Sequence, residues 1–484
     1  MNSLLFLFLL LLAFPCYFST QTYRAAVLEF SPYQFQPGDN YQLLLRNLAE
    51  MEKYISEAKK QGAQIIVLPE YGLEGWYEEW DRDNILPILE PLPNYYAGKT
   101  CNPCLEKCKD KNGNNIDFKK LPVLKEASCI AMKYSIIIAI DGINDVQYCE
   151  NQTDCPPDGR FQFNTLVVLD EQGFLVAKYH KGHNYESESN YFDQPKTPEI
   201  VYFDSSFGVR FGMFICFDIL WNQPTYSLVY ELGISNILFP TYWGNLAPAF
   251  SANEFQVGFS KSNKVNFLAS NIGYDGFYSS GSGIFSNGLP LAFYTNDTIY
   301  PSNRLLIADV PIIIEEKPSI ISFDSNFLEF DDLSIPSFKK FQAIPGTSGS
   351  LFLSVSGVDC QVNYSISQNQ SESFEIEEYA LFAYSGLGFF PIQISFCGLT
   401  RCVPDPNQQF DCDVYQTVHS NTFFDSFEIE SNLQNSQLSF AMANEDGLQI
   451  INDEYLNIGN GTISNKDGKV FKLLSSVFLQ VFQE

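Results

Sequence analysis

Three residues with reactive side chains stand where strands are predicted to end: Glu70, Lys181 and Cys216. In α/β proteins, reactive groups gather at strand ends. A thiol becomes a nucleophile when a base takes its proton, and the attacked carbonyl oxygen needs nearby positive charge as it becomes anionic. A glutamate, a lysine and a cysteine can supply these three roles without histidine. The sequence therefore predicts covalent attack by a thiol on a carbonyl group.

Cys216 has three interpretations from the sequence alone: a nucleophile, half of a disulfide, or a buried and inert residue. The chain contains 12 cysteines, and eleven remain if Cys16 leaves with an amino-terminal signal. Setting Cys216 aside leaves six in the first half and four in the second, enough for five disulfides within the two halves. The count favours Cys216 as the free thiol. The other ten are Cys101, Cys104, Cys108, Cys129, Cys149, Cys155, Cys360, Cys397, Cys402 and Cys412.

Glu70 and Lys181 also have plainer interpretations, as a solvated loop carboxylate and a surface lysine. Histidine is scarce, because the chain has only 3, but His180 and His183 flank Lys181. A Cys-His dyad that uses one of these two residues stays open as an alternative.

A metal site is a further possibility at Cys101, Cys104 and Cys108, which lie in a loop rich in Asn, Lys, Asp and Gly. A Cys-x-x-Cys pair can bind zinc, but a second matching pair is missing. Disulfides are the favoured interpretation of these cysteines. We expect neither a metal nor a cofactor.

The charge balance bears on the partners of the chain. Asp and Glu number 57 against 29 Lys and Arg, which gives a formal net charge of -28. Binding to phosphate groups requires clustered cations, so nucleic acid and anionic lipid surfaces are not expected partners. The expected partner is a small-molecule substrate, and the sequence leaves the oligomeric state open.

The amino terminus predicts a secretory route. Residues 4–14 form an apolar run of the length of a signal-peptide core, so residues 1–20 are interpreted as a cleaved signal, with a signal anchor as the alternative. The mature chain would have no transmembrane span and would be secreted or lie in the lumen of the secretory or lysosomal pathway, where disulfides persist. The predicted glycosylation sites are Asn151, Asn296, Asn363, Asn369 and Asn460.

The elements that must position the reactive residues alternate between strand and helix. Apolar residues from Leu44 to Ala58 step by four, three, four and three, which predicts one buried face of a helix over residues 41–60. Strands at 23–30 and 65–70 flank this helix, so the three elements form a βαβ unit with parallel strands. Further predicted elements are helices at 121–133, 224–232 and 249–262, a hairpin of strands at 163–170 and 173–180, and strands at 135–140, 211–215, 236–240 and 265–270.

The pattern changes beyond about residue 310. Short β-like runs there are separated by turns rich in Ser, Asn and Asp. We therefore expect an α/β domain over residues 21–310 and a mainly β domain over residues 311–484, stapled by two disulfides and without a catalytic constellation.

Three motifs resemble the catalytic blocks of the nitrilase, or carbon–nitrogen hydrolase, superfamily. They are Val67-Leu-Pro-Glu-Tyr-Gly72, Lys178-Tyr-His-Lys181 and Phe214-Ile-Cys-Phe-Asp-Ile-Leu220. Other stretches are similar to the vanin (pantetheinase) and biotinidase branch, which is also secreted, glycosylated and extended by a β-rich domain. The resemblance is ordered from Tyr23 to about Phe293 and is only architectural beyond that point. The branch-like stretches are Phe239-Pro-Thr-Tyr-Trp-Gly-Asn245, Val265-Asn-Phe-Leu-Ala-Ser-Asn-Ile272 and Gly281-Ser-Gly-Ile284.

The resemblance implies an α/β fold, a nitrilase-like four-layer αββα sandwich with an appended mainly β domain, and a Glu-Lys-Cys triad. Glu70 would be the general base, Lys181 would stabilise the oxyanion together with the N–H after Cys216, and Cys216 would carry the acyl group. The preferred candidate substrate would be pantetheine, cleaved to pantothenate and cysteamine. Biocytin or biotinyl amides would be the second candidate. A catalytically silent binding glycoprotein on the same scaffold is the alternative from another class.

The resemblance also implies residues around the triad. A further glutamate supports the triad in the family, and either Glu186 or Glu188 would fill that position. The Asn-Leu pair that commonly follows the lysine in this branch is replaced by Gly182-His-Asn184, which alters the wall beside the oxyanion. Substrate contacts are expected from Tyr71, Glu188, Phe217, Trp243 and Glu254.

Overall fold

The computed structural model describes most of the first 312 residues and the principal strands that follow. The described ranges are 21–93, 101–109, 114–149, 153–244, 251–273, 279–295, 301–312, 341–343, 346–368, 378–387, 393–402, 422–433, 438–444, 448–450, 456–459, 461–466 and 473–482.

Strands and helices alternate along the first 312 residues. The strands are β1 (Thr22–Glu29), β2 (Ile65–Val67), β3 (Ile137–Asp141), β4 (Asp145–Tyr148), β5 (Arg160–Phe163), β6 (Thr165–Leu169), β7 (Leu175–His180), β8 (Tyr202–Asp204), β9 (Arg210–Met213), β10 (Asn236–Thr241), β11 (Asn266–Asn271), β12 (Ser282–Ser286), β13 (Leu289–Tyr294) and β14 (Arg304–Pro311). The helices are α1 (Tyr41–Lys60), α2 (Pro122–Tyr134) and α3 (Ala252–Ser262). Short helical turns cover Leu86–Ile88, Phe118–Lys120, Glu186–Asn190, Cys216–Leu220 and Tyr226–Glu231.

Two six-stranded sheets share one pairing pattern. The first has the order β14-β1-β2-β3-β6-β7, and the second has the order β13-β12-β11-β10-β9-β8. Each contains three adjacent parallel strands, β1-β2-β3 and β9-β10-β11, flanked by antiparallel neighbours. Both sheets therefore contain parallel strands, and the loops that follow such strands are where reactive residues are expected.

Strand β1 shows how the layers are built. Because successive side chains of a strand point to opposite faces, Ala25 and Val27 pack with Phe211 of the second sheet. Ala26 and Leu28, on the other face, pack with the apolar side of α1. Helices α1 and α2 cover the first sheet, and α3 lies against β11, β12 and β13 of the second. The predicted four-layer αββα sandwich is confirmed.

The local predictions agree with the structure where apolar periodicity is strong. Helix α1 has the predicted bounds, and Asn40 caps its first turn by accepting a hydrogen bond from the Gln42 N–H. The hairpin of β6 and β7 also forms as predicted. Three predictions need correction. The strand expected over 65–70 ends at Val67, three residues early, and the strand before Cys216 ends at Met213, two residues early. The helix expected over 224–232 is one π-helical turn, Tyr226–Glu231.

The carboxyl-terminal part is a mainly β unit, as predicted. Its strands are β15 (Phe341–Ala343), β16 (Ser348–Val355), β17 (Val358–Gln368), β18 (Glu378–Leu387), β19 (Gln393–Cys402), β20 (Thr422–Ser431), β21 (Leu438–Asn444), β22 (Leu448–Ile450), β23 (Leu456–Gly459), β24 (Thr462–Asn465) and β25 (Leu473–Phe482). They form sheets in the orders β15-β18-β19-β25-β21-β22 and β16-β17-β20-β24-β23. Residues of both sheets, such as Val362 and Leu399, share one core. The boundary at residues 310 and 311 stays a prediction.

The disulfides follow the predicted division between the two halves. The pairs are Cys101–Cys108, Cys104–Cys129, Cys149–Cys155 and Cys360–Cys397, and Cys402 is also disulfide-bonded. The cysteines at 101, 104 and 108 are therefore structural, as the sequence favoured. Within the described ranges, Cys216 is the free cysteine.

Two expectations concern segments of which little is described. The signal over residues 1–20 lies outside the described residues, as do Asn151, Asn296, Asn369 and Asn460. Asn363 lies on β17, half-buried, with its amide 3.4 Å from a carboxylate oxygen of Glu428. Glycosylation stays a prediction at all five positions. Among the helices that the structure describes, none is both long and apolar enough to span a membrane.

Candidate active site

The fold brings Glu70, Lys181 and Cys216 together from three strands in two sheets. Glu70 lies three residues after β2, Lys181 directly follows β7, and Cys216 lies three residues after β9. Cys216 opens the helical turn Cys216–Leu220 with a φ of 43°, in the left-handed region that residues other than glycine seldom occupy. Such unfavourable backbone conformations cluster at functional sites because the surrounding structure must hold them.

Lys181 lies between two carboxylates in the interior. Its Nζ is 2.7 Å from Oε1 of Glu70 and 2.6 Å from Oε2 of Glu188. All three side chains are only 1% exposed. Burial opposes the ammonium charge, but the two carboxylates outweigh it and raise the pKa of Lys181 well above its usual value. Lys181 therefore carries a positive charge in the resting site.

Two further hydrogen bonds fix the orientation of the Glu70 carboxylate. Oε1 accepts a hydrogen bond from Nδ2 of Asn164 at 2.9 Å, and Oε2 accepts one from the backbone N–H of Tyr242 at 2.8 Å. Tyr242 also links Glu70 to the thiol, because its carbonyl oxygen lies 3.6 Å from Sγ of Cys216. The carboxylate is thus held by the peptide that contacts the thiol, close enough for its charge to raise the pKa of Cys216.

Burial is the main influence on the Cys216 thiol. It raises the pKa of Cys216 well above that of a free thiol, and the Glu70 charge raises it further. Lys181 and the side chain of Thr241 act in the opposite direction but do not outweigh the increase. Burial also raises the pKa of Glu70, against the influence of Lys181. The resting thiol is therefore protonated, and Glu70 is the neighbouring group that can take its proton.

The choice between Glu186 and Glu188 is resolved by geometry. Glu186 is exposed, whereas Glu188 is buried and contacts Lys181. Oε1 of Glu188 also accepts hydrogen bonds from Nδ2 of Asn164 at 3.1 Å and from the Tyr71 hydroxyl at 2.7 Å. Glu188 is therefore the glutamate placed to support the triad.

The residues with expected substrate contacts fall into two groups. Tyr71 is buried, and its hydroxyl forms hydrogen bonds with Glu188 and Tyr191. Tyr71 therefore helps to hold Glu188, which in turn contacts Lys181. Phe217 directly follows Cys216 in sequence, and its ring contacts the Tyr185 ring edge-on, with the ring centroids 5.7 Å apart. A substrate contact remains a prediction for Tyr71, Glu188 and Phe217.

Trp243 and Glu254 lie on the side of the second sheet. The Trp243 ring packs on Phe255 of α3 at 4.9 Å, and its backbone exchanges hydrogen bonds with the amide of Asn271. Glu254 is fully buried and bonded to the Ser251 hydroxyl. Packing accounts for both residues, and their contact with a substrate stays a prediction.

The two histidines beside Lys181 have carboxylate partners. His180 lies between Asp145 and Glu199, with Nε2 3.0 Å from Oδ2 of Asp145 and Nδ1 3.1 Å from Oε1 of Glu199. Nδ1 of His183 is 2.8 Å from Oδ1 of Asp218. This geometry favours Glu70 over either histidine as the base for Cys216.

Asn164 belongs to the site although the sequence did not single it out. It precedes β6, and its carbonyl accepts the Lys181 N–H at 3.0 Å while its side-chain amide bridges Glu70 and Glu188. Nothing in the local sequence marks this residue, because its role depends on three segments that are distant along the chain.

Two further buried carboxyl groups, those of Glu74 and Asp141, lie close enough to Glu70 for its negative charge to raise their pKa values. Burial raises the pKa of Glu74 to about 8, and burial with the neighbouring negative charges raises that of Asp141 well above its usual value. Both groups are thus mainly uncharged at neutral pH. The charges that face Lys181 come from Glu70 and Glu188.

Strand β7, which Lys181 directly follows, is held by buried ion pairs just before the lysine. Nζ of Lys178 is 2.7 Å from Oδ2 of Asp145, which is fully buried and also contacts His180. Burial opposes ionisation of Asp145, but the Lys178 charge and the His180 bond outweigh it and lower the pKa of Asp145 to about 2.

Asp145→Asn is expected to destabilise the protein by about 3–5 kcal/mol at pH 7, because it leaves Lys178 buried without its counter-charge. The carboxylate contributes its stability above the unfolded-state pKa of about 3.9 and loses it as the pH falls toward about 2. Urea unfolding from pH 7 to pH 2.5 would measure this. The exposed Asp309→Asn, which breaks a surface pair with Arg24, is the control. A difference from wild type that did not shrink at low pH would contradict this account.

Comparisons with known proteins identify families and relatives that this chain resembles. Residues 25–271 match the carbon-nitrogen hydrolase family, and residues 330–473 match the vanin C-terminal domain. Human pantetheinase is 35% identical over 407 residues, which cover 80% of this chain and 72% of that protein. Biotinidase of Takifugu rubripes is 33% identical over 391 residues, which cover 75% of this chain and 74% of that protein. An amidase from Nesterenkonia sp. aligns with a TM-score of 0.39 and 18% identity over 60% of this chain and 90% of that chain.

Proposed function

The chain belongs to the carbon–nitrogen hydrolase family, and from this membership and the site geometry we propose that it cleaves a secondary amide through an acyl-enzyme on Cys216. The observation that carries the proposal is a buried free thiol, Cys216, that contacts the Tyr242 carbonyl, while the Tyr242 N–H and Lys181 hold the Glu70 carboxylate beside it. The same observation argues against a silent binding glycoprotein, because a purely structural scaffold has no need of a buried base beside a free thiol.

Acylation begins with a proton transfer. Glu70 takes the proton from Sγ of Cys216 as the sulfur attacks the amide carbonyl carbon, so the C–S bond forms and the carbonyl electron pair moves to oxygen. The tetrahedral intermediate collapses when the protonated Glu70 gives its proton to the amide nitrogen. The C–N bond then breaks, the amine leaves, and the acyl group stays on the sulfur as a thioester.

Hydrolysis of the thioester reuses the same base. Glu70 takes a proton from water as the water oxygen attacks the thioester carbon. When the second intermediate collapses, the C–S bond breaks, the carboxylic acid leaves and the sulfur regains a proton from Glu70. The cycle consumes one amide and one water and requires no cofactor.

Lys181 supplies positive charge to both intermediates. Its buried ammonium is fixed by two carboxylates, so its charge needs little reorganisation when an oxyanion forms. The backbone N–H of Phe217 is the second donor for that oxygen. Because donors fixed in advance stabilise the transition state more than the substrate, Lys181 and this N–H act mainly on kcat.

The protonated resting thiol suits this mechanism. A permanent thiolate in an oxidising compartment would react with oxidants and disulfides. A buried thiol whose pKa is raised by burial becomes nucleophilic only when Glu70 accepts its proton during attack.

Pantetheine is the proposed substrate, because pantetheinases of five mammals are 35 to 36% identical to this chain. Aromatic side chains of Tyr185 and Phe217 lie beside the cysteine and would pack along the acyl or amine chain. Biocytin is the second candidate, because biotinidases of fish and cattle are 33% and 31% identical.

The chain is also proposed to act in the secretory pathway or outside the cell. Four disulfides between described cysteines are typical of an oxidising compartment. The apolar segment over residues 4–14 supports the same route.

The test is a comparison of the two amides. Wild-type protein is expected to convert pantetheine to pantothenate and cysteamine, identified by mass spectrometry, with a kcat/KM at least tenfold above that for release of lysine from biocytin. A tenfold ratio corresponds to about 1.4 kcal/mol of differential transition-state binding. Cys216→Ala protein serves as the background.

Two results would contradict the proposal in different ways. A kcat/KM that favours biocytin would replace pantetheine by biotinyl amides while leaving the chemistry in place. Absence of turnover with both amides by folded wild-type protein would favour the silent glycoprotein.

A further inference from the structure

Asp218 lies two residues after Cys216 and is fully buried. Oδ1 accepts hydrogen bonds from the backbone N–H and from Nδ1 of His183, both at 2.8 Å. Oδ2 accepts hydrogen bonds from the Tyr179 hydroxyl at 2.7 Å and from the Ile215 N–H at 3.1 Å. Four donors thus meet one carboxylate, two on each oxygen.

These donors lie close in sequence to Lys181 and Cys216. Tyr179 and His183 stand two residues before and two residues after Lys181, and Ile215 immediately precedes Cys216. One buried carboxylate therefore binds the chain on both sides of the lysine and the chain that leads into the cysteine. The lysine comes from the first sheet and the cysteine from the second, so the carboxylate joins the two sheets at the site.

The segment after Lys181 is shaped to this carboxylate. The Gly182 N–H donates a hydrogen bond of 3.3 Å to the Tyr179 hydroxyl. That hydroxyl in turn donates to Asp218. A Cβ on Gly182 would lie 3.2 Å from Oδ1 of Asp218 and 3.3 Å from the Tyr179 hydroxyl, closer than most side-chain contacts. Glycine therefore permits the close approach at this position.

The His183 ring, which binds Asp218, also stacks on the ring of Trp221. The His183 imidazole lies 4.3 Å from the Trp221 ring, with 5° between the planes, and Trp221 ends the turn that begins at Cys216. The imidazole is thus fixed by Asp218 at one nitrogen and by an aromatic face. Four fixed donors hold the carboxylate more firmly than one or two could.

We propose that Asp218 is a positioning residue for the amide hydrolysis described above: it holds Lys181 and Cys216 at their mutual distance by binding the chain around both. This inference rests on the proposed function. Asp218 makes no contact with the reacting atoms, so its effect passes through Tyr179, His183 and Ile215. A misplacement of about 1 Å between reacting groups can reduce the rate about 10²-fold.

Asp218→Asn tests the proposal. An asparagine offers one oxygen, so two of the four donors lose their acceptor. We expect kcat for pantetheine to fall about 10²-fold while KM changes less than threefold. Tyr179→Phe removes one donor and keeps the ring, and kcat is expected to fall about tenfold. Asp204→Asn, at an exposed aspartate paired with Arg210 on the same sheet, is the matched control and is expected to equal wild type.

The double variant separates positioning from general destabilisation. If Tyr179 acts through Asp218, the kcat of Asp218→Asn/Tyr179→Phe will be close to that of Asp218→Asn alone, whereas independent structural effects would multiply. Multiplying effects, a change in KM with kcat intact, or full kcat in both single variants would overturn the proposal. Should Asp218→Asn fold poorly, Tyr179→Phe alone decides by the same kcat and KM criteria.

Wild-type turnover in the same assay distinguishes the two possible failures. An active wild type with an unimpaired Asp218→Asn variant would contradict the positioning role alone. An inactive wild type would contradict the proposed hydrolysis and the positioning role with it.

Discussion

Cys216→Ala is expected to reduce amide turnover by on the order of 10⁵-fold, because nucleophile removal leaves only binding and oxyanion stabilisation. The fold should persist, since the change removes one atom from a buried turn that Asp218 and its donors also hold. Turnover of pantetheine and the circular dichroism of the variant would measure both.

Cys216→Ser is the matched variant for this prediction. A hydroxyl has nearly the shape of the thiol but is a much weaker nucleophile, so turnover should fall as in the alanine variant while thermal stability stays close to wild type. Wild-type turnover in both variants, each purified separately, would show that another residue is the nucleophile.

Glu70→Gln has the second largest expected effect, and its two consequences run in opposite directions. Without a base, turnover should fall by on the order of 10³-fold. The pKa of Cys216 should fall as well, because the Glu70 charge raises it and Lys181 lowers it. Thiolate absorbance near 240 nm, followed against pH, should therefore rise at a lower pH in the variant than in wild type.

Glu186→Gln is the control for Glu70→Gln, because Glu186 is an exposed glutamate two residues from Glu188. It is expected to change neither turnover nor the thiolate titration. If Glu70→Gln kept its turnover, Glu70 would not be the base. If its thiolate formed at a higher pH than in wild type, the assigned electrostatic relation between Glu70 and Cys216 would be wrong.

Local sequence patterns predicted several elements well. Helix α1 has its predicted bounds because its apolar residues repeat at helical spacing and Gly62 follows the end. The strand before Cys216 ends earlier than predicted. Ile215 keeps an extended backbone but lies outside the paired strand, and an apolar pattern alone cannot show where strand pairing stops. The four-layer arrangement was implied by family resemblance and could not be read from periodicity.

The candidate site was partly predictable. The count of eleven cysteines that remain if Cys16 leaves with the signal favoured Cys216 as the free thiol, because disulfides pair cysteines and leave one over, and Cys216 is free in the part of the chain that the structure describes. The choice between Glu186 and Glu188 could not be made, because both lie in one short helical turn and only the packing shows which faces Lys181.

Other parts of the site depend on contacts between distant segments. Asn164 bridges Glu70 and Glu188, which are 94 and 24 residues away in sequence. Tyr242 donates its N–H to Glu70 across 172 residues. No local spacing encodes these bonds. Those of Asn164 arise when the strands of the first sheet pair, and that of Tyr242 arises when the second sheet packs on the first.

The most direct test of the central account is to identify the covalent intermediate. Wild-type protein mixed with pantetheine and quenched with acid during turnover should carry a pantothenoyl group on the peptide that contains Cys216, detected by mass spectrometry, and Cys216→Ala protein should carry none. Turnover with an acyl group on another residue, or acylation that persists in Cys216→Ala, would contradict the account.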